Sequence, residues 1–419
     1  MGLFTDDLDS TVFRNRDALK DAYVPDEVVG REDVIDQFRQ ALRHVLFGQS
    51  PDNIFVYGQT GSGKTLVTRY VFRELEHAVQ TERDVLEQRA AANQTVIQPD
   101  DLHTLELNCE NINTGYQLAV EAHNRLVASQ PQNLAQQGNS EQVVYNHLYD
   151  ALDDRAGIVI FILDEIHRLR KVNTFLYEVS RAASKGDLTE TAVGIVGIST
   201  AADFTERLDA SVRGTLTEWA INFDAYTATD LCDVLFQRVP LAFQEGVVDE
   251  TAVRLCGAYG AKESGDARYA LDLLRMAGDL ADTDDATVTK AYIERARDKY
   301  ETEQVLESLK GMNDDAHLTM YALARLVVAG SEQPRTTEIY ERYTQLAQQA
   351  AKNPVGQRAM RNYLAEFHAQ NITESETRSI ASGGVFNVHS LNVEIENAID
   401  AINPTLDTYS FETDVSRMR

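Results

Sequence analysis

The chain has 419 residues, enough for two or three domains, and 66 acidic against 39 basic side chains give it a formal net charge of −27. Its apolar content of 43% is ordinary for a globular protein, and the longest apolar run is far too short to cross a bilayer. No signal peptide is evident at the start. The three cysteines have neither metal-ligand nor redox spacing, so we predict a cytoplasmic protein.

The negative charge has two interpretations. Acidic surfaces repel phosphates, which would indicate a protein that avoids nucleic acid. Alternatively, the acidity is that of a halophile's proteins, because molar salt shrinks the Debye length to about 3 Å and makes net charge a poor guide to partners. We favour the halophile, because the acidic residues spread over every segment instead of gathering in a tail.

A P-loop motif follows the first predicted helix. Apolar residues repeat at helical spacing over residues 33–47, and Pro51-Asp52 ends this helix. A short apolar strand, residues 54–57, then runs into a glycine-rich turn from Gly58 to Thr65 that matches G-x-x-x-x-G-K-[S/T]. An apolar-faced helix follows, and this strand, turn and helix order is the context that the motif requires.

The chemistry of this motif is phosphate binding. Glycines let successive backbone N–H groups turn toward a phosphate, and the helix N-terminus adds partial positive charge. Lys64 would contact the β- and γ-phosphates, and the Thr65 hydroxyl would hold Mg²⁺. We therefore predict a site for ATP or ADP with Mg²⁺.

The next elements lead to a second motif. The helix after Thr65 is predicted to continue through Glu74 and Leu86. A strand at 102–108 and helices at 115–127 and 143–152 follow, with a Gln/Asn-rich loop at 130–142 between the two helices.

A continuous apolar strand, residues 157–163, ends in Asp164-Glu165. Such a strand suits the centre of a parallel sheet covered on both faces, and its carboxyl end is where open α/β sheets bind ligands. Asp164 would hold Mg²⁺ through water, and Glu165 would orient and deprotonate the attacking water.

Residues 191–200 predict another buried strand, ending in Ser199-Thr200. Its polar end suits a contact with the γ-phosphate or the attacking water. Capping of the next turn by these hydroxyls explains the spacing nearly as well.

Residues 228–296 are helical in pattern throughout, and one helix there begins at Gly265-Asp-Ala-Arg268. An arginine near a helix start is poorly placed for the helix dipole, which indicates a partner anion. A solvated surface arginine is the alternative.

The last segment predicts a winged helix. Helices at 318–328, 337–347 and 357–367 are followed by a hairpin pattern over 373–388, around Gly383-Gly384. In a winged helix the third helix enters the DNA major groove, and Arg358 and Arg361 share one face of that helix. The segment from 301 onward has 17 acidic and 10 basic residues, so a DNA-binding face must be a local patch. A winged helix that makes protein contacts remains the alternative.

Taken together, these motifs resemble the archaeal origin-recognition (Orc/Cdc-type) replication initiators, a branch of the AAA+ ATPases, over nearly the whole chain. Asp164-Glu165-Ile-His-Arg-Leu resembles the family's Walker B stretch, and Gly265-Asp-Ala-Arg268 its sensor-2 motif, in which Arg268 would reach the γ-phosphate. The resemblance implies that the segment from Val24-Pro25 to Arg31 lies against adenine. It also implies a linker into a helical lid at 221–226, ending in Tyr226, and a DNA-contacting helical insertion within 108–152.

Two positions depart from the family pattern. Thr200 stands where the family usually has the sensor-1 Asn, and Ser211 stands where it usually has the Arg of an Asp-Pro-Arg-Val motif, with Arg213 as a substitute. Losing one such charge typically costs hydrolysis orders of magnitude. We therefore expect a divergent paralogue that binds nucleotide tightly, hydrolyses it slowly and keeps ADP with Mg²⁺ through purification.

The prediction is an α/β AAA+ core with a P-loop parallel sheet at 1–225, a helical lid at 226–300 and a winged-helix domain at 301–419, acting as an ATP-dependent replication initiator. Double-stranded origin DNA is the expected partner, with the replicative helicase and other initiator subunits implied by the resemblance, in a nucleoid-associated location and without a membrane. The alternatives are a P-loop ATPase that regulates transcription and a nucleotide-bound adaptor working through protein contacts.

The predicted catalytic residues are Glu165, Asp164, Thr200 and Arg268, the metal ligands are Thr65 and Asp164, and the DNA contacts are Arg358 and Arg361. The predicted nucleotide contacts are Gly58, Gln59, Thr60, Gly61, Ser62, Gly63, Lys64, Thr65, Leu66, Val24, Pro25, Arg31, Tyr226 and Arg268.

Overall fold

The computed structural model describes residues 10–81, 101–128, 133–216, 219–370, 372–379 and 385–417. The chain divides into two compact units, Met1–Ile293 and Glu294–Arg419, each with apolar clusters of its own. Two expectations, the continuation of the P-loop helix to Leu86 and the Gly383-Gly384 turn, lie outside the described residues.

The first unit alternates strands and helices and then becomes helical. Its strands are β1 (Ile54–Gly58), β2 (Leu102–Asn108), β3 (Gly157–Asp164), β4 (Thr191–Ser199) and β5 (Trp219–Phe223). Its helices are α1 (Glu32–Leu42), α2 (Lys64–Thr81), α3 (Gly115–Leu126), α4 (Glu141–Asp153), α5 (Asn173–Lys185), α6 (Ala210–Leu216), α7 (Ala228–Ala242), α8 (Glu250–Lys262) and α9 (Ala267–Thr283).

The five strands form one parallel sheet in the order β2-β3-β4-β1-β5. β1 therefore lies between β4 and β5, and β4 separates it from β3. Because all strands run in the same direction, their carboxyl ends meet at one edge of the sheet. The turns after β1, β3 and β4 are thereby brought together.

β3 has apolar side chains on both faces, as its sequence predicts. Val159, Phe161 and Leu163 belong to the apolar cluster on one side, which α3, α4 and α5 cover. The alternate residues, from Ile158 to Ile162, belong to the cluster that α1 and α2 cover on the other side. Because both faces are apolar, exchanging them would cost little, so the polar residues at the end of the strand oppose a shift: moving along the strand would carry Asp164 and Glu165 into the apolar layers.

Residues 33–47 differ from the single helix that their pattern predicts. The α-helix ends at Leu42, and a 3₁₀ turn, Val45–Phe47, follows it. Gly48 adopts a left-handed conformation with φ of 66° and donates its N–H to the Val45 carbonyl. Glycine closes a helical turn in this way at little steric cost, so the 3₁₀ turn ends at Phe47.

The N-terminal segment packs on the helical part of the same unit. The rings of Phe13 and Phe243 stack with their centroids 4.9 Å apart, and Arg16 forms a bidentate pair with Asp279 at 2.6 and 2.7 Å. This anchoring holds the polar residues that follow Arg16 beside α9.

The second unit has the elements predicted for a winged helix, with one helix that was not predicted. Its core contains the fully buried Tyr321, Tyr343 and Phe367. β6 and β7 pair antiparallel, with Thr373 opposite Leu391. Its elements are α10 (Lys290–Lys310, which contains the boundary between the units), α11 (Asp314–Val328), α12 (Thr336–Gln349), α13 (Gln357–Ala369), β6 (Thr373–Ser379), β7 (Val385–Leu391) and the unpredicted α14 (Ile395–Thr408).

Over the residues that the structure describes, no helix combines the length and the apolar character that a membrane crossing requires.

Phe161 offers a test of the first unit's core. Its side chain is completely buried and meets the Phe175 ring edge-to-face, with centroids 5.8 Å apart. We expect Phe161→Ala to lower the free energy of unfolding of this unit by about 3–5 kcal/mol, because a large cavity opens. The single tryptophan, Trp219, lies in the same sheet, so its fluorescence during denaturation in molar KCl reports this unit alone. Phe47→Ala, at a 36% exposed site, is the control and should change the midpoint little.

His389 gives the second unit a pH-dependent stability. The ring is buried and hydrogen-bonded to the Thr336 and Ser375 hydroxyls at 2.9 and 2.8 Å, and burial lowers its pKa from 6.5 to about 4. Between these two pH values the unfolded chain binds a proton that the folded unit does not. The contribution of the neutral His389 ring to the free energy of unfolding of the second unit is therefore fully present above pH 6.5. It falls by up to about 3 kcal/mol as the pH drops to 4.

Hydrogen exchange of α11 amides, corrected for the intrinsic rate, measures this loss. His389→Gln keeps hydrogen-bonding capacity but does not titrate, so its α11 protection should change less with pH. Equal pH slopes in the two proteins would contradict the assignment to His389.

Candidate functional site

A cavity of about 340 Å³ lies at the edge of the sheet where β1, β3 and β4 end, next to the first turns of α2 and α9. All of these elements belong to the first unit. The residues lining it are Lys20, Asp21, Ala22, Thr60, Gly61, Gly63, Lys64, Thr65, Leu66, Arg69, Asp164, Glu165, Thr200, Ala267, Arg268 and Leu271.

The glycine-rich turn between β1 and α2 has backbone conformations that favour glycine. Gly61 and Gly63 both have positive φ, 72° and 89°, and a Cβ on Gly61 would collide with the Asp266 carboxylate. Lys64 is 6% exposed and donates to the Gly58 and Gln59 carbonyls at 3.0 and 2.7 Å. Its burial lowers the pKa of the ammonium group. A phosphate bound by this turn, which we call the cradle, would place a negative charge beside the buried Lys64 ammonium group and stabilise it.

Thr65 and Asp164 meet across the pocket. The Thr65 hydroxyl donates to Asp164 Oδ2 at 3.0 Å, and the Glu165 backbone N–H donates to Oδ1 at 2.9 Å. Burial is the largest cause of the raised pKa of the Asp164 carboxyl. A buried carboxylate with a neighbouring hydroxyl provides the hard oxygen ligands that Mg²⁺ prefers.

Glu165 lies at a sharp turn immediately after β3. Its φ of 55° is in the left-handed region, and its carbonyl accepts the Arg168 N–H at 2.9 Å, which begins the 3₁₀ turn Ile166–Arg168. Its Oε2 lies 3.5 Å from His167 Nε2 and 3.6 Å from Arg168 Nε. The turn costs about 1–2 kcal/mol for a non-glycine residue and directs this carboxylate toward the pocket.

Arg268 lines the pocket in the first turn of α9. The Asp266 side chain caps this helix by accepting the N–H groups of Arg268 and Tyr269 at 2.8 and 3.1 Å. The Arg268 guanidinium pairs with Asp21 from the N-terminal segment. Burial is the largest cause of the raised pKa of the Asp21 carboxyl. The cation predicted to contact the γ-phosphate therefore has an acidic partner within the chain.

Arg31 and Tyr226 hold the glycine-rich turn from outside the pocket. The Arg31 guanidinium lies 3.6 Å from the centre of the Tyr226 ring and donates to the Ser62 and Asp224 carbonyls at 2.9 and 2.7 Å. A Cβ on Gly63 would approach the Tyr226 hydroxyl to 2.8 Å.

Several predicted nucleotide contacts do not line this cavity. They remain predictions for contacts with other parts of the ligand: Gly58, Gln59, Ser62, Val24, Pro25, Arg31 and Tyr226.

Four polar residues at or beside the pocket were not predicted from the sequence: Lys20, Asp21, Arg69 and His167. Arg69 follows Thr65 by four residues, so the helix periodicity would have placed it on the same face of α2. It pairs with Glu106 of β2. His167 has no comparable periodic signal, because it lies in a short turn.

The second unit has a groove of about 490 Å³ between α12, α13 and the β6-β7 hairpin. Arg361 lines it, whereas Arg358 is exposed on the same helix but does not. Arg335, at the start of α12, lines it too, with its guanidinium 4.2 Å from the centre of the Phe386 ring. Among the described residues that line the groove, none is a carboxylate. Ser211 and Arg213, from the substituted motif, are exposed on α6 and do not line the nucleotide cavity.

Three family models match successive parts of the chain. The AAA ATPase domain matches residues 27–182, the Cdc6 AAA+ ATPase-type lid domain matches 232–298, and the CDC6 C-terminal winged helix domain matches 307–401.

Similar proteins match over nearly their whole length. ORC1-type DNA replication protein 2 of Haloarcula marismortui is 36% identical, over 96% of this chain and 93% of its own. ORC1-type DNA replication protein 10 of Halobacterium salinarum is 33% identical, over 97% and 95%. The solved structure of the Aeropyrum pernix ORC1 protein in complex with DNA is 30% identical, over 95% of this chain and 98% of its own, with a TM-score of 0.71. The chain belongs to the archaeal Orc1/Cdc6-type replication initiators, AAA+ ATPases with a C-terminal winged helix.

Proposed function

We propose that this protein is an ATP-dependent replication initiator that binds double-stranded origin DNA through its winged helix and uses nucleotide as a slow conformational switch. The observation that carries the proposal is a pair of sites on one chain. One is the Lys64–Thr65–Asp164 constellation of the first unit, and the other is the carboxylate-free groove with Arg335 and Arg361 in the second.

The first site supports ATP and ADP as ligands. The cradle offers backbone N–H groups, the Lys64 ammonium and the positive end of α2 to the phosphates. Arg268 faces the same cavity from α9, so a γ-phosphate would attract α9 toward the cradle. A ligand shifts a conformational equilibrium only through such differential contacts.

The donor set also fits Mg²⁺. Over the described residues, no group of three or more His, Cys, Asp and Glu side chains forms a metal cage. Mg²⁺ in ATPase sites is instead held by one or two protein oxygens together with phosphates, and the Thr65 hydroxyl and the Asp164 carboxylate are suitable. Bound there, Mg²⁺ would neutralise the charge that develops on the phosphate oxygens.

The expectation of slow hydrolysis rests on two residues. Thr200 stands at the position where the resemblance expects the longer Asn side chain of sensor 1, and Ser211 stands where it expects an arginine. Glu165 remains in place as the group that accepts a proton from the attacking water. We expect a protein that turns over slowly and persists in its ADP state between cycles.

The second site supports duplex DNA. In a chain with 66 acidic residues, a groove with two arginines and no described carboxylate among its lining residues is a local exception. The groove lies between the predicted recognition helix α13 and the hairpin, which are the parts of a winged helix that approach DNA. The replicative helicase and other initiator subunits are further proposed partners, and this proposal rests only on the family to which the chain belongs.

Asp21→Asn tests the pairing in the nucleotide pocket. The substitution removes a negative charge from the cavity and releases Arg268 for the γ-phosphate. We therefore expect ATP affinity to rise by about 2- to 5-fold, since a half-exposed ion pair contributes up to about 1 kcal/mol. Titration of nucleotide-stripped protein with a fluorescent ATP analogue and Mg²⁺ measures it. Lys64→Met should weaken binding at least about tenfold, which verifies that the titration reports this pocket. Weaker binding by Asp21→Asn would contradict the competition.

Binding to duplex DNA from around the protein's own gene tests the initiator function. Fluorescence anisotropy would compare this DNA with a scrambled duplex of equal length. The measurements would be made in 1–3 M KCl, because we interpret the acidity of the chain as that of a halophile's protein. We expect preferential binding to one short repeated site. If Arg361 contacts a base, Arg361→Ala should weaken binding to that site by about 1–3 kcal/mol. If Arg361 contacts a phosphate, the substitution should instead reduce the slope of log K against log salt concentration by about 1.

Arg342→Ala is the matched control, because this arginine lies on α12 and pairs with Gln345 outside the groove. It should leave binding unchanged. Equal binding to both duplexes, with no effect of Arg361→Ala, would favour the adaptor that works through protein contacts. Preference for a promoter over an origin would favour the transcriptional regulator.

A further inference from the structure

His167 lies between two groups that the reaction requires. Its Nε2 is 3.1 Å from the Thr200 hydroxyl and 3.5 Å from Glu165 Oε2. The 3₁₀ turn after β3 carries the imidazole, and the Thr200 hydroxyl follows the end of the neighbouring strand β4. This ring nitrogen is thus within hydrogen-bond distance of the hydroxyl that follows one strand and lies close to the carboxylate that follows the neighbouring strand.

The contacts of the ring determine which nitrogen carries the proton. Nδ1 is buried without a hydrogen-bond partner among the described atoms. If the proton were on Nδ1, a buried donor would be unsatisfied and the bare Nε2 lone pair would face a carboxylate. With the proton on Nε2, this N–H points toward Thr200 and Glu165, and only a weak acceptor is left without a partner. The neutral Nε2–H tautomer is therefore favoured. Burial, which lowers the pKa of His167, favours the neutral ring as well.

This tautomer orients the Thr200 hydroxyl. A hydroxyl has one proton and two lone pairs, and the Nε2–H occupies a lone pair. The Thr200 proton is then directed away from the imidazole, and Thr200 lines the cavity. The Thr200 hydroxyl thereby stays available as a donor to a group bound in the cavity.

We propose that His167 is a positioning residue for ATP hydrolysis, whose Nε2–H donates to the Thr200 hydroxyl and fixes its direction beside the Glu165 carboxylate. This role rests on the proposed ATPase function. In the reaction, the water oxygen bonds to the γ-phosphorus as the bond from that phosphorus to the bridging oxygen breaks. Glu165 accepts the water proton, the products are ADP and inorganic phosphate, and His167 exchanges no proton.

His167→Phe and His167→Gln separate this role from simple packing. Phenylalanine keeps the ring but has no donor, whereas the glutamine amide can place an N–H near the position of Nε2. We expect His167→Phe to lower kcat by about 10- to 100-fold, because small misplacements of reacting groups cost this much. The Kd for ADP should change less than twofold, and His167→Gln should restore kcat to within a few-fold of the wild type. His44→Phe, at an exposed histidine after α1, is the control and should leave both quantities unchanged.

A double-mutant cycle tests whether His167 and Thr200 act together. Thr200→Val removes the hydroxyl while keeping the shape of the side chain. If the two groups act through one hydrogen bond, the combined variant should lose little more kcat than the worse single variant. Full multiplication of the two losses would contradict the coupling.

The outcomes distinguish this role from the ATPase function on which it rests. A wild-type protein that binds ATP without turnover refutes slow hydrolysis itself, and the role with it. An active wild type with an equally active His167→Phe refutes the role alone. His167→Phe could also lose both ADP affinity and stability, as monitored by Trp219 fluorescence. If His167→Gln does not recover these losses, the ring serves packing and the proposal is overturned.

Discussion

The nucleotide site depends on the parallel register of three strands. β4 pairs with β3 so that Gly197 lies beside Leu163, and with β1 so that Ser199 lies beside Tyr57. The residues that follow these strands, a carboxylate pair, a hydroxyl and the glycine-rich turn, must therefore meet at one edge. Apolar side chains on both faces of β3 hold this strand in the core, so the packing of the core also determines where the polar residues at the end of the strand lie.

The elements with strong local signals could be predicted from the sequence, and the parts that depend on distant packing could not. The P-loop strand, β3 and β4 are apolar runs ending in polar residues, and their positions were predicted to within a residue or two. Asp21 lies in a polar segment without periodicity, and only the packing of Phe13 and Arg16 on the helical region brings it to Arg268. The helix α14 has helically spaced apolar residues, but its internal Asn403-Pro404 pair is also a turn signal.

The net charge of the chain is negative, whereas the charged side chains that line the groove of the second unit are arginines. A protein that functions in molar salt gains little long-range attraction from a basic surface, because screening removes it within a few ångströms. Contacts at hydrogen-bond distance are screened much less. If the protein works in such salt, as we propose, we expect a groove with few, well-placed arginines to bind DNA more effectively than a high net positive charge would. The Arg335 guanidinium lies over the Phe386 ring, which would reduce the entropy that a contact from Arg335 costs on binding.

Three polar groups of the nucleotide pocket, those of Lys64, Thr65 and Arg268, have partners within the chain. Lys64 donates to carbonyls of its own loop, Thr65 to Asp164, and Arg268 pairs with Asp21. A phosphate must exchange each of these contacts, so the net gain per contact is smaller than the contact itself. The exchange at Arg268 differs from the others, because its partner lies on the N-terminal segment while the phosphate lies on the cradle. We propose that ATP, with its γ-phosphate, competes for that arginine more strongly than ADP. The difference between the two nucleotides would then become a choice of partner for α9, which is what a nucleotide switch requires.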